Sequence, residues 1–431
     1  MTRWSWCLLA VLTACGAQKT PTYEQDIKPL MEASCVSCHV EGGIAPFALT
    51  SFEQVAAQKG AIAAAVTDRR MPPYLAGEGC TDYADDQRLS TEQIALINAW
   101  VSGGAPRGTP SATSSQPPAR LTTLPRVDRE MKMPVAYTPM TSPDDYRCFV
   151  LDWPEQVEKY VTGFYVTPGN ARVVHHVIAF LIQPDQVQQI DALDAAEAGP
   201  GYTCFGGPGV TSTISWLGSW APGSQPAMYP DGTGLLVKPG SKVVMQVHYN
   251  TTAAPEGQRT DQTKLEVALS DTVDKRAWIL PWASVEWVRR HNMPIPAGAP
   301  DVVHSWAFDP TQFLGNLTSN QLSNGSGFRM YTAGLHQHLL GTSGKLTINH
   351  PDGTSECLLD VPRWDFHWQR SYRFAKTKAF KPGDQLGITC HWDNSAANQP
   401  LLNGVKAEPR DVNWGEGTTD EMCLGLFYIS E

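Results

Sequence analysis

The chemistry-bearing residues come in two groups. The first is Cys35-Val36-Ser37-Cys38-His39, which sets two thiols about one helical turn apart and an imidazole directly after them. That spacing is the attachment sequence of covalent haem c: the thiols add to the vinyl groups and the imidazole meets the iron from one face. A ligand for the opposite face is available at Met71, where Pro72 and Pro73 stiffen the loop that would present the thioether. A Met/His pair raises the haem potential, as an electron-transfer group requires. The plain alternative for Met71 is gap-filling in a core.

The second group is made of histidines. His175 and His176 lie inside an apolar run, His248 closes another, and His336-Gln337-His338 forms an H-x-H. Residues i and i+2 of a strand point the same way, so His336 and His338 can share one metal. His175 and His176 would point apart in a regular strand, so joint ligation demands a bulge. Near the end comes Asp420-Glu421-Met422-Cys423. Thioethers are soft ligands that select copper over zinc, whereas imidazoles suit either. For each of His291, His304, His350, His367 and His391, which have no partner pattern, a hydrogen-bonded structural role is the simpler reading.

Four segments together carry a resemblance: Val173-Val174-His175-His176-Val177, Met245-Gln246-Val247-His248-Tyr249, the run from His336 to Gly341, and Asp420-Glu421-Met422-Cys423. Residues 131–431 resemble the type II copper, ascorbate-dependent monooxygenases, the family of peptidylglycine α-hydroxylating and dopamine β-monooxygenases. The resemblance implies two copper ions. His175, His176 and His248 would hold an electron-transfer copper in a first jelly-roll-like sandwich, with Gln246 orienting that site. His336, His338 and Met422 would hold an oxygen-activating copper in a second. It further implies O2-dependent hydroxylation of a C–H bond of a small organic substrate, with two electrons per turnover. In the family ascorbate supplies those electrons; here haem c in the same chain is the expected route, fed by an external donor. The family's peptide-amidating member clamps a substrate carboxylate at places that here are Gly334, Leu424 and Leu426, so a peptidylglycine substrate is not expected. The competing reading is a non-catalytic periplasmic haem/copper electron carrier; an open copper position beside Met422 argues against it. A zinc hydrolase is disfavoured by the thioether and by the lack of a well-placed Glu after the H-x-H.

These residues need elements to hold them. Residues 21–108 carry helical signals, among them Ser90-Thr91-Glu92-Gln93 opening a helix whose Ile94, Leu96, Ile97, Trp100 and Val101 form an apolar stripe. Residues 109–130 are rich in Thr, Ser, Pro and Gln and read as a linker. Beyond them, short β-type runs at 159–166, 173–182, 242–249, 264–269 and 424–429 are separated by Pro-Gly turns. The expected fold is multidomain. A small all-α cytochrome c domain at 21–108 precedes two all-β antiparallel jelly-roll-like sandwiches at 131–275 and 276–431.

The amino terminus indicates where this chemistry takes place. Arg3, the apolar residues 4–12 and Leu12-Thr13-Ala14-Cys15 read as an export signal over 1–14, with a lipobox-like end that makes Cys15 a lipidated mature terminus. The expected location is exported, periplasmic or cell-surface, on an outer-membrane lipoprotein that touches membrane only through its lipid. A net charge of −10 with no basic run gives no nucleic-acid surface. Setting aside Cys7, Cys15, Cys35 and Cys38 leaves Cys80, Cys148, Cys204, Cys357, Cys390 and Cys423 to pair in an oxidising compartment, in any connectivity. The resemblance implies Cys390–Cys423; Cys148–Cys204 would lie within the first sandwich, and Cys80–Cys357 is then what remains.

Overall fold

The computed structural model describes residues 20–41, 45–84, 86–110, 123–204, 207–210, 215–222, 224–252, 254–402, 405–415 and 417–431. The export signal 1–14, Cys15 and most of the 109–130 linker lie outside the described residues. No helix among the described residues is long and apolar enough to cross a membrane.

Two compact units emerge. One comprises residues up to 40, 47–72 and 89–119. Its described part holds short helices: Lys28–Ser34, Phe52–Ala57, Lys59–Thr67 and Thr91–Ser102. Ser51 with Gln54, and Ser90 with Gln93, each form a reciprocal capping box, which gives the orphan amides of the first turn acceptors. The apolar faces meet around Ile27, Met31, Ile97 and Trp100, all at most 1% exposed.

The second unit takes in the β-rich remainder together with residues 41–46 and 73–88. Residues 73–88 therefore depart from the 21–108 domain expected for them. Their backbone bonds explain why: Gly77 N donates to Asp360 O (2.7 Å), Ala84 N to Arg373 O (2.8 Å) and Ala375 N to Asp82 O (2.9 Å). Cys80–Cys357 joins the same two stretches and so lies within this unit. Cys148–Cys204 and Cys390–Cys423 are also bonded.

A five-stranded sheet positions the first three histidines. In it, Tyr202–Thr203, Asp144–Asp152, Lys242–Asn250, Val174–Ile182 and Ser215–Trp220 lie side by side in that order. Period-two alternation divides the central strand: Val243, Met245, Val247 and Tyr249 face the main core, while Val244 faces a smaller core with Phe180, Ile182 and Ile190. A four-stranded sheet (Val302–Phe308, Gln385–Trp392, Gly341–Asn349, Ser355–Val361) belongs to the second half.

The remaining nine-stranded sheet is shared by both halves. Lys275–Trp282 pairs antiparallel with the last strand, Leu424–Ser430, and parallel with Thr233–Val237. The halves are thus joined by sheet hydrogen bonds across the expected 275/276 boundary, and one parallel pair interrupts an otherwise antiparallel order.

Candidate active site

His176 sits directly across from His248, and Tyr146 flanks His248 on the other side. The pairing of Val174–Ile182 with Lys242–Asn250 shifts register between Val174 and His176. This is the bulge that joint ligation requires: the extra residue turns His175 toward its neighbour's side. The ring nitrogens converge accordingly. His176 Nδ1 lies 3.4 Å from His175 Nδ1 and 3.2 Å from His248 Nδ1, and the ligand atoms of all three lie within 4.8 Å of one another. With metal–nitrogen bonds of about 2.0–2.1 Å, tetrahedral ligands would stand roughly 3.3 Å apart. The donor set fits one metal ion.

Proton placement agrees with ligation. His248 Nε2–H donates to Asp144 Oδ1 (2.8 Å), which leaves Nδ1 as a lone pair. Asn250 Nδ2 holds the same carboxylate oxygen at 3.0 Å. Tyr146 stacks on His248 with ring centroids 4.2 Å apart, and its hydroxyl meets Thr418 Oγ1 at 2.5 Å. Burial pushes His175 down to about 4, helped by the nearby His367, and holds His176 and His248 well below the usual imidazole range. Neutral rings are what a metal needs.

The second cluster follows the same logic. His336 ends the strand Phe328–His336, and His338 lies just beyond it. Their Nε2 atoms face each other at 3.1 Å. His338 Nδ1 donates to Asp420 O (3.1 Å) and His336 Nδ1 to Gln369 Oε1 (2.5 Å), so each Nε2 is left unprotonated. Gln369 is oriented in turn by donating from Nε2 to Phe366 O at 2.8 Å. Burial, then His336, pushes His338 down to about 3. The Cys390–Cys423 bond fixes the residue after Met422, which is 7% exposed. Two imidazoles and a thioether suit copper.

A cavity of about 640 Å³ is lined by His176 from the first cluster and by His336 and Met422 from the second. Between the clusters stands Phe366, whose ring centroid is 5.3 Å from His175 and 6.0 Å from His338.

Comparison with known families places the chain that carries these clusters. Residues 129–256 match the model of the copper type II ascorbate-dependent monooxygenase N-terminal domain, and residues 315–430 match that of its C-terminal domain, together more than half of the chain. The chain belongs to the copper type II ascorbate-dependent monooxygenases. It is 25% identical over 280 residues to a tyramine beta-hydroxylase of Caenorhabditis briggsae, covering 61% of this chain and 41% of that protein. It is 24% identical over 350 residues to DBH-like monooxygenase protein 1 of Gallus gallus, covering 75% of this chain and 51% of that one. The chain thus spans about half or less of the length of these relatives. Among solved structures, the infectious bursal disease virus VP2 subviral particle aligns over 72% of this chain at a TM-score of 0.17, too low to bear on the fold.

Membership makes the chain one of a family of copper-dependent oxidoreductases, and it clarifies which site residues the sequence left unread. Asp144, Tyr146, Phe366, Gln369 and Glu421 hold or separate the ligands without belonging to a short motif. Gln246, expected to orient the first cluster, instead donates to Cys204 Sγ at 3.5 Å. It lies a further pair along the strand from His248, opposite Cys148 and Ile178, which places its amide by the disulfide. The five unassigned histidines have partners of their own: Trp414 O for His291, Pro294 O for His304, and Asp384, Asp365 and Asp301 for His350, His367 and His391.

The residues expected to hold haem lie in the helical unit. Cys35 and Cys38 form no disulfide, whereas Cys80, Cys148, Cys204, Cys357, Cys390 and Cys423 are paired. His39 Nδ1 donates to Phe47 O at 2.9 Å, which leaves Nε2 available. Met71 is half-buried in the same unit. Two cysteines outside any disulfide and an imidazole held by its far nitrogen are the residue types that haem c attachment uses.

Proposed function

We propose that this protein is an O2-dependent copper monooxygenase that hydroxylates a C–H bond of a small organic substrate, with electrons arriving through haem c in the same chain. The observation that carries the reading is the single cavity faced at once by His176, His336 and Met422. A substrate held there lies within reach of both clusters. His175, His176 and His248 would hold one copper, and His336, His338 and Met422 the other. Cys35 and Cys38 would bind haem covalently, and His39 and Met71 would ligate its iron. When bound, the coppers supply one-electron redox chemistry and O2 activation, and the haem supplies electrons singly from an external donor.

The balance is R–H + O2 + two electrons + two protons giving R–OH + H2O. The protein's own part is positional. Asp144 and Gln369 fix the imidazoles of His248 and His336, the carbonyl of Asp420 fixes that of His338, and burial keeps the rings neutral. Three disulfides accord with an exported protein in an oxidising compartment; lipidation at Cys15 would anchor it to the outer membrane.

The test is O2 consumption by copper-loaded protein after stoichiometric chemical reduction, with haem absorbance followed in parallel. Wild type should reoxidise its haem with O2, and Met422→Ala should slow this by about 100-fold, the scale for removing one catalytic interaction. Equal rates in the two proteins would remove Met422 from an oxygen-activating site and favour a plain electron carrier.

A further inference from the structure

Residues 73–88 precede both regions matched by the family models, yet they build part of the cavity wall. The segment is held to the second half by its backbone bonds, by Cys80–Cys357, and by Tyr83, whose hydroxyl donates to Leu358 O at 3.0 Å. Tyr74, Tyr83 and Gln87 thereby line the same space as His336 and Met422.

At this wall two guanidinium groups flank one ring. Arg88 and Arg370 each lie 5.4 Å from the centroid of Tyr74. Arg88 is paired with Asp86. Arg370 makes no ion pair among the described residues. It donates from Nη1 to Gln87 Oε1 at 3.0 Å and lies 5.8 Å over Tyr372. Its Nε is buried with no acceptor, and so is the hydroxyl of Tyr74, a residue only 8% exposed. Buried donors without acceptors are rare in folded proteins, and a guanidinium is shaped to meet a planar anion. The described lining of the cavity contains Arg370 and Arg373 but no Asp or Glu. Among the described residues the one carboxylate beside these guanidiniums is Asp86, which pairs with Arg88 and also acts on Arg370; the balance is a net positive charge, which attracts a carboxylate and repels a protonated amine.

We infer that Tyr74, Gln87 and Arg370 form an anion-accepting subsite, so that the substrate carries a carboxylate on an apolar, aromatic-sized body. This rests on the copper monooxygenase reading and names the substrate class of that site. The family's amidating clamp has its counterparts at Gly334, Leu424 and Leu426, which line the same cavity, Gly334 pairing with Ser371 beside Arg370; the subsite inferred here uses other residues, of which Tyr74 and Gln87 come from a segment outside the family-matched regions.

The experiment is calorimetric titration of the full, copper-loaded chain, without reductant, with hydrocinnamate and with phenethylamine. Hydrocinnamate should bind at least about tenfold more tightly, the scale of one charge-assisted bond in a partly buried site. Arg370→Gln should lose that preference, Arg370→Lys should keep part of it, and Tyr74→Phe should weaken the acid a few-fold, with circular dichroism showing all three folded. Equal or tighter binding of the amine, no binding of the acid in the millimolar range, or unchanged acid affinity in Arg370→Gln overturns the subsite. Copper content of the same samples separates the layers. Wild type with two coppers per chain and a preference for the amine overturns the subsite alone. Wild type that takes up no copper overturns the reading beneath it, while a preference for the acid in that protein still supports the subsite.

Discussion

Glu421 shows how much of the site hangs on one side chain. It is wholly buried and accepts from the backbone N–H of His338 (2.9 Å), that of Leu340 (2.6 Å) and Trp392 Nε1 (2.8 Å). Burial pushes it up to about 7, against the pull of those donors. Its job is to pin the turn that carries His338 to the loop that carries Met422. Glu421→Ala strands three buried donors, so unfolding free energy should fall by roughly 3 kcal/mol or more; Glu421→Gln, which keeps an acceptor, should cost about 1–2 kcal/mol. Urea denaturation of the copper-free proteins measures both, and a loss under about 1 kcal/mol for the Ala variant would mean that water replaces the carboxylate. In the sequence, Met422 stood out because thioethers are uncommon ligands with a known preference. Glu421 beside it carried no such mark, since its partners come from residues about 80 positions away.

At the scale of elements, the segment 73–88 makes the clearest prediction. It has no regular strand of its own and is held by a few backbone bonds and one disulfide closing 277 residues of chain. Replacing Cys80 and Cys357 together by Ala should lower stability by about 2–4 kcal/mol. The double variant should also gain a protease cut within 73–88; full resistance there would show that the backbone bonds suffice. Period-two apolar runs made strands such as Val174–Ile182 and Lys242–Asn250 legible to within a residue or so, because alternation is a local property. The docking of 73–88 was legible only through Cys80–Cys357, the pair left once the other cysteines were assigned; its backbone bonds were not, because the strands that receive it lie far along the chain. The bulge before His176 was legible only as a demand. Two adjacent histidines sharing a metal require it, but register is decided by the partner strand.

For the molecule as a whole, counting runs suggested two sandwiches, which is how the histidine clusters divide. The hydrogen bonding does not divide that way. Thr233–Val237 hands its edge to Lys275–Trp282, which hands it to Leu424–Ser430, so the nine-stranded sheet crosses from one half to the other without a break. A parallel pairing of this kind leaves no trace in either run, since each strand is merely apolar. It has a thermodynamic consequence. Unfolding either half alone would expose an edge of the shared sheet and the aromatic residues packed against it, including Tyr428, which belongs to the first core although its strand is the last. Such an exposed edge is strongly unfavourable relative to losing both halves at once. The copper-free β unit should therefore unfold in one transition. Hydrogen exchange in urea reads this directly, because Val174–Ile182 reports the first half and Gly341–Asn349 the second. Their slowest amides should lose protection at the same urea concentration with the same dependence on denaturant. If the two strands open at well-separated concentrations, the shared sheet does not couple the halves, and the two histidine clusters ride on independently stable domains.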